Sequence, residues 1–416
     1  MALNLKLQNT ISSKHQLMMN KSIILNYLME CSPISRAEIS KQLNISPPTV
    51  SKIIDKFIFE GLVEELGKDK SKGGKKATKI CFNSKNGSVI GVDLAKDRIR
   101  IVRSDLGRKI LEKYVGFKIY YKDESLLDKV IKEINFFINN IEKNHGIEKI
   151  PLKGICLGLP ADIDSEKGII KGAPLFPNWK NLNLRNILLK NFPTKIFIEN
   201  SKNMAAIGEK YLGENKNLKN FVILEIGEGI GAGIIIDDVL YKGSNFSAGE
   251  VGFILSSKEQ LYTKYKIKGV MEKNSSPGAL KTEILGVIKS KQKTLVTEIV
   301  GNDLKKITPE VVCKAALTGD NASKKVINNM VENLSIIISN LVLILDPETI
   351  VIGGDILELP EVEKLIIGPI RKIIKNVVPF KLPIIKKAEL GVDAGVLGCS
   401  IFAINNILGY LYPYKL

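Results

Sequence analysis

The stretch PISRAEISKQLNISPPTVSKIIDKFIFEGLVEEL, residues 33–66, decides how the first part of the chain folds. Ser35–Arg36–Ala37–Glu38 has the spacing of a capping box: the Ser35 hydroxyl accepts from an early helical N–H, and the Glu38 carboxylate reaches back. The helix it opens is short and ends near Leu43–Asn44, because Asn tolerates the left-handed conformation that closes helices. Ser46 is a good N-cap, and Pro47 takes the first helical position, where its missing N–H costs nothing. Val50, Ile53, Ile54, Phe57 and Ile58 then share one face, and Gly61 stops the helix. Upstream, Leu17, Ile24, Leu25 and Leu28 mark an amphipathic helix that Pro33 brings to an end. Downstream, Leu62–Leu66 and Thr78–Phe82 read as two strands around a Lys/Gly loop.

Helix, helix, tight turn, helix and a basic two-stranded wing is the layout of a winged helix-turn-helix, predicted over residues 13–83. Such motifs insert the N-terminal end of the last helix into the major groove. Here that end carries Ser46, Thr49, Ser51 and Lys52, with Arg36 at the start of the preceding helix. The wing's Gly73, Gly74, Lys75 and Lys76 offer flexible backbone and cations for phosphates or the minor groove. A three-helix protein-interaction module would not need the small polar residues and the basic wing together.

The charge distribution agrees. The 416 residues carry 61 Lys and Arg against 44 Asp and Glu, a net +17. Residues 1–86 hold 14 of the cations and 7 of the acids, more than twice the charge per residue of the remainder. The densest run, LGKDKSKGGKKATKI at 66–80, has six Lys and one Asp. Hydrophobic residues at 44% and charged residues at 25% exclude disorder, a collagen-like chain and a small disulfide scaffold. Cys31, Cys81, Cys156, Cys313 and Cys399 include no CxxC pair, which excludes a Cys-rich zinc site. With His15 and His145 the only histidines, a His-based metal site or triad is not expected. Isolated cysteines fit a reducing cytoplasm. Met1–Asn20 is polar, so a signal peptide is not expected. The apolar stretch Leu334–Ile352 is interrupted by Ser335, Ser339, Asn340, Asp346, Pro347 and Glu348, and reads as a buried helix followed by a buried strand, not a membrane span.

From Ser88 onward, strands and helices alternate. VIGVDLA and IRIVRSD read as a hairpin, Glu124–Lys143 as an amphipathic helix, GICLGLP and KIFIEN as buried strands. FVILEIGEGIGAGIIIDDVLYKG reads as two strands joined at a Gly-rich turn. Leu334–Leu345 reads as a helix, and TIVIGG as a strand. The last apolar segment, AELGVDAGVLGCSIFAI, ends in a helix. This is α/β architecture with two half-sheets. Gly-rich turns after apolar strands can cradle phosphates.

Together these segments resemble the ROK family of repressors and sugar kinases, in its DNA-binding repressor branch of xylose-repressor type. The matching stretches are PISRAEISKQLNISPPTVSKIIDKFIFEGLVEE and GGKKAT, then GICLGLPADID, GAPLFPNWKNLNL, IENSKNMAAIGE, IGEGIGAGIIIDDVLYKGSNFSAGEVGF, LDPETIVIGGDI and GVDAGVLG. The resemblance implies an actin/hexokinase-like duplicated α/β domain over 87–416. Its lobes would cover roughly 87–200 and 201–395, with the helix 395–410 packing back on the first lobe. It also implies sugar contacts from Asn200, Ser201, Glu250 and Glu272, since carboxylates and amides suit vicinal hydroxyls.

This chain departs from the family's kinase pattern. Asp93–Leu94–Ala95–Lys96–Asp97 stands for Asp-x-Gly-Gly-Thr, so side chains crowd the first phosphate turn. Gly227–Glu228–Gly229–Ile230–Gly231 stands for Gly-Thr-Gly-x-Gly. A carboxylate about 5 Å from a phosphate charge costs about 3 kcal/mol at an effective dielectric near 20. Ser201 stands where the family's catalytic Asp takes the sugar proton, and a hydroxyl is too weakly basic to replace it. Phe253 replaces the family's His. Thr263–Lys264–Tyr265–Lys266–Ile267–Lys268–Gly269–Val270 replaces its Cys-rich zinc motif, so no metal is expected, and Phe253, Tyr265 and Val270 could fill that volume with an apolar cluster. The reading that follows is a cytoplasmic, sugar-responsive DNA-binding regulator, a repressor of carbohydrate uptake or catabolism genes, with no catalytic residue and no cofactor; the alternatives are an active ATP-dependent sugar kinase fused to a DNA-binding domain and a ligand-independent DNA-binding dimer. Its partners would be a double-stranded operator and a sugar or sugar-phosphate effector, in a homodimer or dimer of dimers, with no membrane.

Overall fold

The structure is a computed structural model that describes residues 2–68, 78–95, 97–120, 122–141, 149–263 and 269–409, side chains of 2–15, 67–68 and 141 excepted. The first elements are α1 (Ala2–Cys31), β1 (Ile34–Ser35), α2 (Arg36–Leu43), α3 (Pro47–Phe59), β2 (Val63–Lys68) and β3 (Thr78–Phe82). The three strands pair antiparallel in the order β1-β3-β2, with Ile34 opposite Ile80 and Val63 opposite Phe82. Ile24, Leu25 and Leu28 of α1, Ile39 of α2, and Val50, Ile53, Ile54 and Phe57 of α3 are buried with Ile80. Fully burying each such side chain contributes about 1.5–3 kcal/mol. Leu17, read from the sequence as part of the α1 stripe, is exposed.

The expected capping box is present at Ser35, where the Glu38 N–H donates to Ser35 Oγ at 3.2 Å and the Ser35 N–H donates to Glu38 Oε2 at 2.8 Å. Asn44 closes α2 with φ 53°, and the Ser40 hydroxyl fastens the turn by donating to the Ile45 carbonyl at 2.7 Å. Ser46 precedes α3, but its side chain makes no cap hydrogen bond.

The remaining strands are β4 (Ser88–Asp93), β5 (Arg98–Asp105), β6 (Ile110–Lys118), β7 (Leu152–Leu159), β8 (Asp162–Asp164), β9 (Ile169–Gly172), β10 (Lys195–Asn200), β11 (Phe221–Ile226), β12 (Ile230–Ile236), β13 (Val239–Leu240), β14 (Thr349–Gly353) and β15 (Ile384–Lys387). They form two five-stranded sheets, β10-β7-β4-β5-β6 and β13-β12-β11-β14-β15, with the hairpin β8–β9 apart. In each sheet the first strand pairs antiparallel with the next and parallel with the fourth in sequence: β4 with β5 and β7, β11 with β12 and β14. The same wiring twice is the duplication expected of the fold.

The chain divides into two compact units. One comprises Met1–Leu159, Asn183–Glu199 and Cys399–Leu416, and so joins the helix-turn-helix part to the first sheet. The other comprises Pro160–Leu182 and Asn200–Gly398. Residues 160–182, assigned from the sequence to the first lobe, therefore fold with the second. In the second unit the helix Asn321–Leu345 runs through the core, burying Ile327, Met330, Leu334, Ile337, Ile338 and Val342. It begins well before Leu334, at an N-cap where Asp320 accepts from the Ser323 N–H. By length and composition it could cross a bilayer, yet 56% of its most apolar window is buried in the protein.

Candidate functional site

At the N-terminal end of α3, Ser46, Pro47, Pro48 and Lys52 are exposed, and Thr49 and Ser51 half-buried. Burial of Val50, Ile53, Ile54 and Phe57 on the opposite face fixes this presentation. The Ser46 and Thr49 hydroxyls lie 2.8 Å apart, hydrogen-bonded to each other. Each hydroxyl keeps further donor or acceptor capacity, which suits base edges in a groove. Gly73, Gly74, Lys75 and Lys76 lie outside the described residues.

Arg36, expected at the DNA interface, is paired within the protein. Its guanidinium pairs with Asp55 Oδ1 at 2.6 Å and Glu65 Oε1 at 3.2 Å, tying α2 to α3 and to β2. With its fork engaged by two carboxylates, Arg36 braces α2 against α3 and β2.

Two cations that sequence reasoning missed stand beside Lys52. Burial, and then the neighbouring Lys56 and Lys52 ammonium groups, hold the Lys21 amine below the usual lysine range, with Glu60 pulling the other way. Lys56 also pairs with Glu60 at 3.5 Å. Crowded ammonium groups gain from a phosphate that joins them. The i,i+4 spacing of Lys52 and Lys56 was legible; the approach of Lys21 from another helix was not.

The second unit gathers the residues assigned to a sugar. Asn200 caps the helix Ser201–Tyr211: its Oδ1 accepts from the Lys202 N–H at 2.9 Å, and its Nδ2 donates to the Ala161 carbonyl at 2.9 Å. Ser201 is buried at the start of that helix. Lys202, which the sequence reading passed over, extends to Glu250, with Nζ 3.4 Å from Oε2. Glu272, on the helix Val270–Ser275, takes the Ile230 N–H on Oε1 at 3.1 Å and the Gly269 N–H on Oε2 at 2.9 Å. Each of its oxygens keeps a lone pair, so it still accepts while fastening the Gly-rich turn. The loop bearing Glu250 crosses close to β12: the Ala232 N–H donates to the Gly249 carbonyl at 2.7 Å. Gly249 has φ +83°, and a β-carbon there would collide with the Ala232 carbonyl.

The glycines of the Gly-rich turn are covered by side chains. A β-carbon on Gly227 would lie 2.7 Å from Asp355 Oδ2, and one on Gly229 would lie 3.0 Å from Glu272 Oε1. One on Gly231 would collide with the Lys202 stem and ammonium. Three carboxylates, counting exposed Glu228, thus stand at a turn that would need to receive phosphates. In the first unit, Asp93 is buried and its Oδ1 accepts from the Ala95 N–H at 3.1 Å. Lys96 lies outside the described residues, and Asp97 is 3.7 Å from the Arg100 guanidinium, which offsets its charge. The apolar filling expected at the replaced zinc motif is not formed by Phe253, which is 42% exposed; Val270 is buried, and Tyr265 lies outside the described residues.

Comparison with known proteins gives two family matches. The ROK family model covers residues 89–406, and a winged helix-turn-helix DNA-binding model covers residues 22–64. The chain is 33% identical over 402 residues to the xylose repressor of Caldicellulosiruptor bescii, covering 94% of this chain and 96% of that protein. It is 26% identical over 353 residues to the DNA-binding transcriptional dual regulator NagC of Escherichia coli, covering 84% of each. A crystal structure of a ROK family transcriptional regulator, a homologue of the E. coli MLC protein, superposes with TM-score 0.78 at 22% identity, over 95% of this chain and 98% of that one. A ROK family glucokinase from Streptomyces griseus superposes with TM-score 0.63 at 21% identity, over 76% of this chain and 99% of that one.

Proposed function

The chain belongs to the ROK family, and from that membership we propose that it is a cytoplasmic, sugar-responsive DNA-binding repressor whose kinase-like domain binds a sugar without phosphorylating it. The observation that carries this reading is the pairing of an outward-facing, hydroxyl-bearing α3 end with a glycine turn covered by Asp355, Glu272 and Lys202. The first can meet a base pair. The second receives a phosphate only if its carboxylates move away. Ser201 at the family's base position supports the same reading, because losing a general base typically costs about 10²–10⁴ in rate.

Two copies of the chain would set two α3 helices into successive major grooves, about 34 Å apart, of a near-palindromic operator. Asn200, Ser201, Glu250 and Glu272 would bind the sugar hydroxyls. The sugar acts as an effector only if it prefers one conformation over the other. Relatives named for xylose make D-xylose the first sugar to try.

The test is a gel-shift titration with duplexes selected from a random pool, repeated with a panel of sugars, beside a coupled ATP-consumption assay on the same panel. The reading expects a selected duplex, release by one sugar and no sugar-dependent ATP turnover. Clear turnover would make the protein a sugar kinase carrying a DNA-binding domain.

A further inference from the structure

The segment joining the helix-turn-helix part to the first sheet is Asn83–Ser84–Lys85–Asn86–Gly87, five residues between β3 and β4. Its composition is that of a pliant linker. Its hydrogen bonds are not. On the side of the recognition helix, the Asn83 N–H donates to the Leu62 carbonyl at 2.8 Å, and the Asn83 side-chain amide donates to Glu64 Oε1. Asn86 Nδ2 donates at 3.2 Å to the carbonyl of Glu60, the residue that caps α3. A helix's last carbonyls have no intrahelical partner, so this bond satisfies a group that would otherwise turn to water. Asn86 Oδ1 lies 3.1 Å from where a β-carbon on Gly61 would stand, and Gly61, at φ +72°, is the residue at which the chain leaves α3. On the side of the first sheet, the Leu106 N–H, just past β5, donates to the carbonyls of both Ser84 (3.1 Å) and Gly87 (3.2 Å). Between the two sides the segment closes on itself as a single 3₁₀ turn, Ser84–Asn86, with the Asn86 N–H donating to the Asn83 carbonyl at 3.2 Å. Gly87, Leu62 and Leu106 are buried.

We propose that Asn83–Gly87 is a rigid coupling, with Asn86 the positioning residue that holds the recognition helix at a fixed orientation to the first sheet. The inference rests on the DNA-binding reading for its consequence. An effector can then reorient α3 only by turning the first lobe that carries it, and the spacing of two operator half-sites is written into the body of the protein. Changing that spacing by one base pair moves a half-site by about 3.4 Å and turns it by about 35°. A pliant tether follows such a change and a rigid one does not.

The experiment has two arms on the full-length protein. Amide hydrogen exchange reads the coupling directly: the Asn83 and Leu106 N–H groups are expected to exchange as slowly as those of β4 and β5. Exchange of both at the rate of a free linker overturns the proposal. The second arm measures affinity for a selected duplex whose half-site spacing is varied one base pair at a time, for the wild type, for Asn86→Ala, and for a variant with two glycines inserted after Lys85. Wild-type affinity is expected to fall about tenfold or more two base pairs from the optimum, and the variants to lose most of that dependence, while affinity for a single half-site stays within about twofold. A variant that merely misfolded would lose the single half-site as well. Variants that keep the wild-type spacing dependence overturn the proposal. If the wild type binds no duplex, the DNA-binding reading fails, and the exchange arm still decides the coupling.

Discussion

The α3 end and the Gly-rich turn both match a family motif, but the two matches mean different things. At α3 the retained residues do what the motif requires: apolar side chains face the core, and Ser46 and Thr49 face out. At the turn the glycines are retained, and β-carbons added to Gly227, Gly229 and Gly231 would meet Asp355, Glu272 and Lys202. Packing is one requirement that those glycines meet. A motif keeps its letters when a second physical requirement happens to need the same small residue.

The comparison breaks most visibly at Gly249. Replacing it with Ala puts a side chain at φ +83° and against the Ala232 carbonyl. Left-handed strain and the clash together should lower unfolding stability by about 3 kcal/mol, read by urea titration. Sugar binding should weaken in parallel, since Glu250 is the next residue. An unchanged midpoint would mean the loop is held elsewhere.

At α3 the expected loss is of discrimination, not stability. Thr49→Ala removes one hydroxyl of the Ser46–Thr49 pair from a half-exposed site. Binding to a selected duplex should drop by about 1–3 kcal/mol relative to random DNA, with the melting temperature unmoved. Equal loss on both duplexes would make Thr49 a backbone contact.

Salt titration separates the cations. Lys21→Ala and Lys52→Ala should each reduce the slope of log K against log salt by about 0.9, if each neutralises one phosphate. Arg36→Ala should leave that slope unchanged, because its guanidinium is engaged by Asp55 and Glu65, while weakening binding on every sequence through a loosened α3. A reduced slope for Arg36→Ala would return it to the interface.

Much of the helix-turn-helix part was legible because its signals are local. The Ser35–Glu38 box, the left-handed Asn44 and Pro47 at the first helical position each act within four residues. The duplicated sheets were legible through repeated apolar strands and through family resemblance. Hidden from the sequence were the contacts between distant residues: Arg36 with Glu65, Lys21 near Lys56, Lys202 with Glu250, and the membership of 160–182 in the second unit. The helix Asn321–Leu345 was half-read because its first turns, NASKKVINN, are polar wherever they face solvent.

The smallest expected effect is also the sharpest on the glycine turn. Ser201→Asp restores the carboxylate that the family's kinases use as a base. If a missing base were all that separates this chain from the family's kinases, this one change should confer sugar-dependent ATP turnover, a gain on the order of 10² or more. On the proposed reading the glycine turn is a second barrier. Asp355 and Glu272 still cover the turn, and Lys202 still lies across Gly231. The variant should therefore show no turnover above background in a coupled assay. It should keep its sugar-induced shift in melting temperature, since a short acceptor replaces a short hydroxyl. Measurable turnover would mean that the carboxylates yield to ATP and that the glycines still serve phosphate.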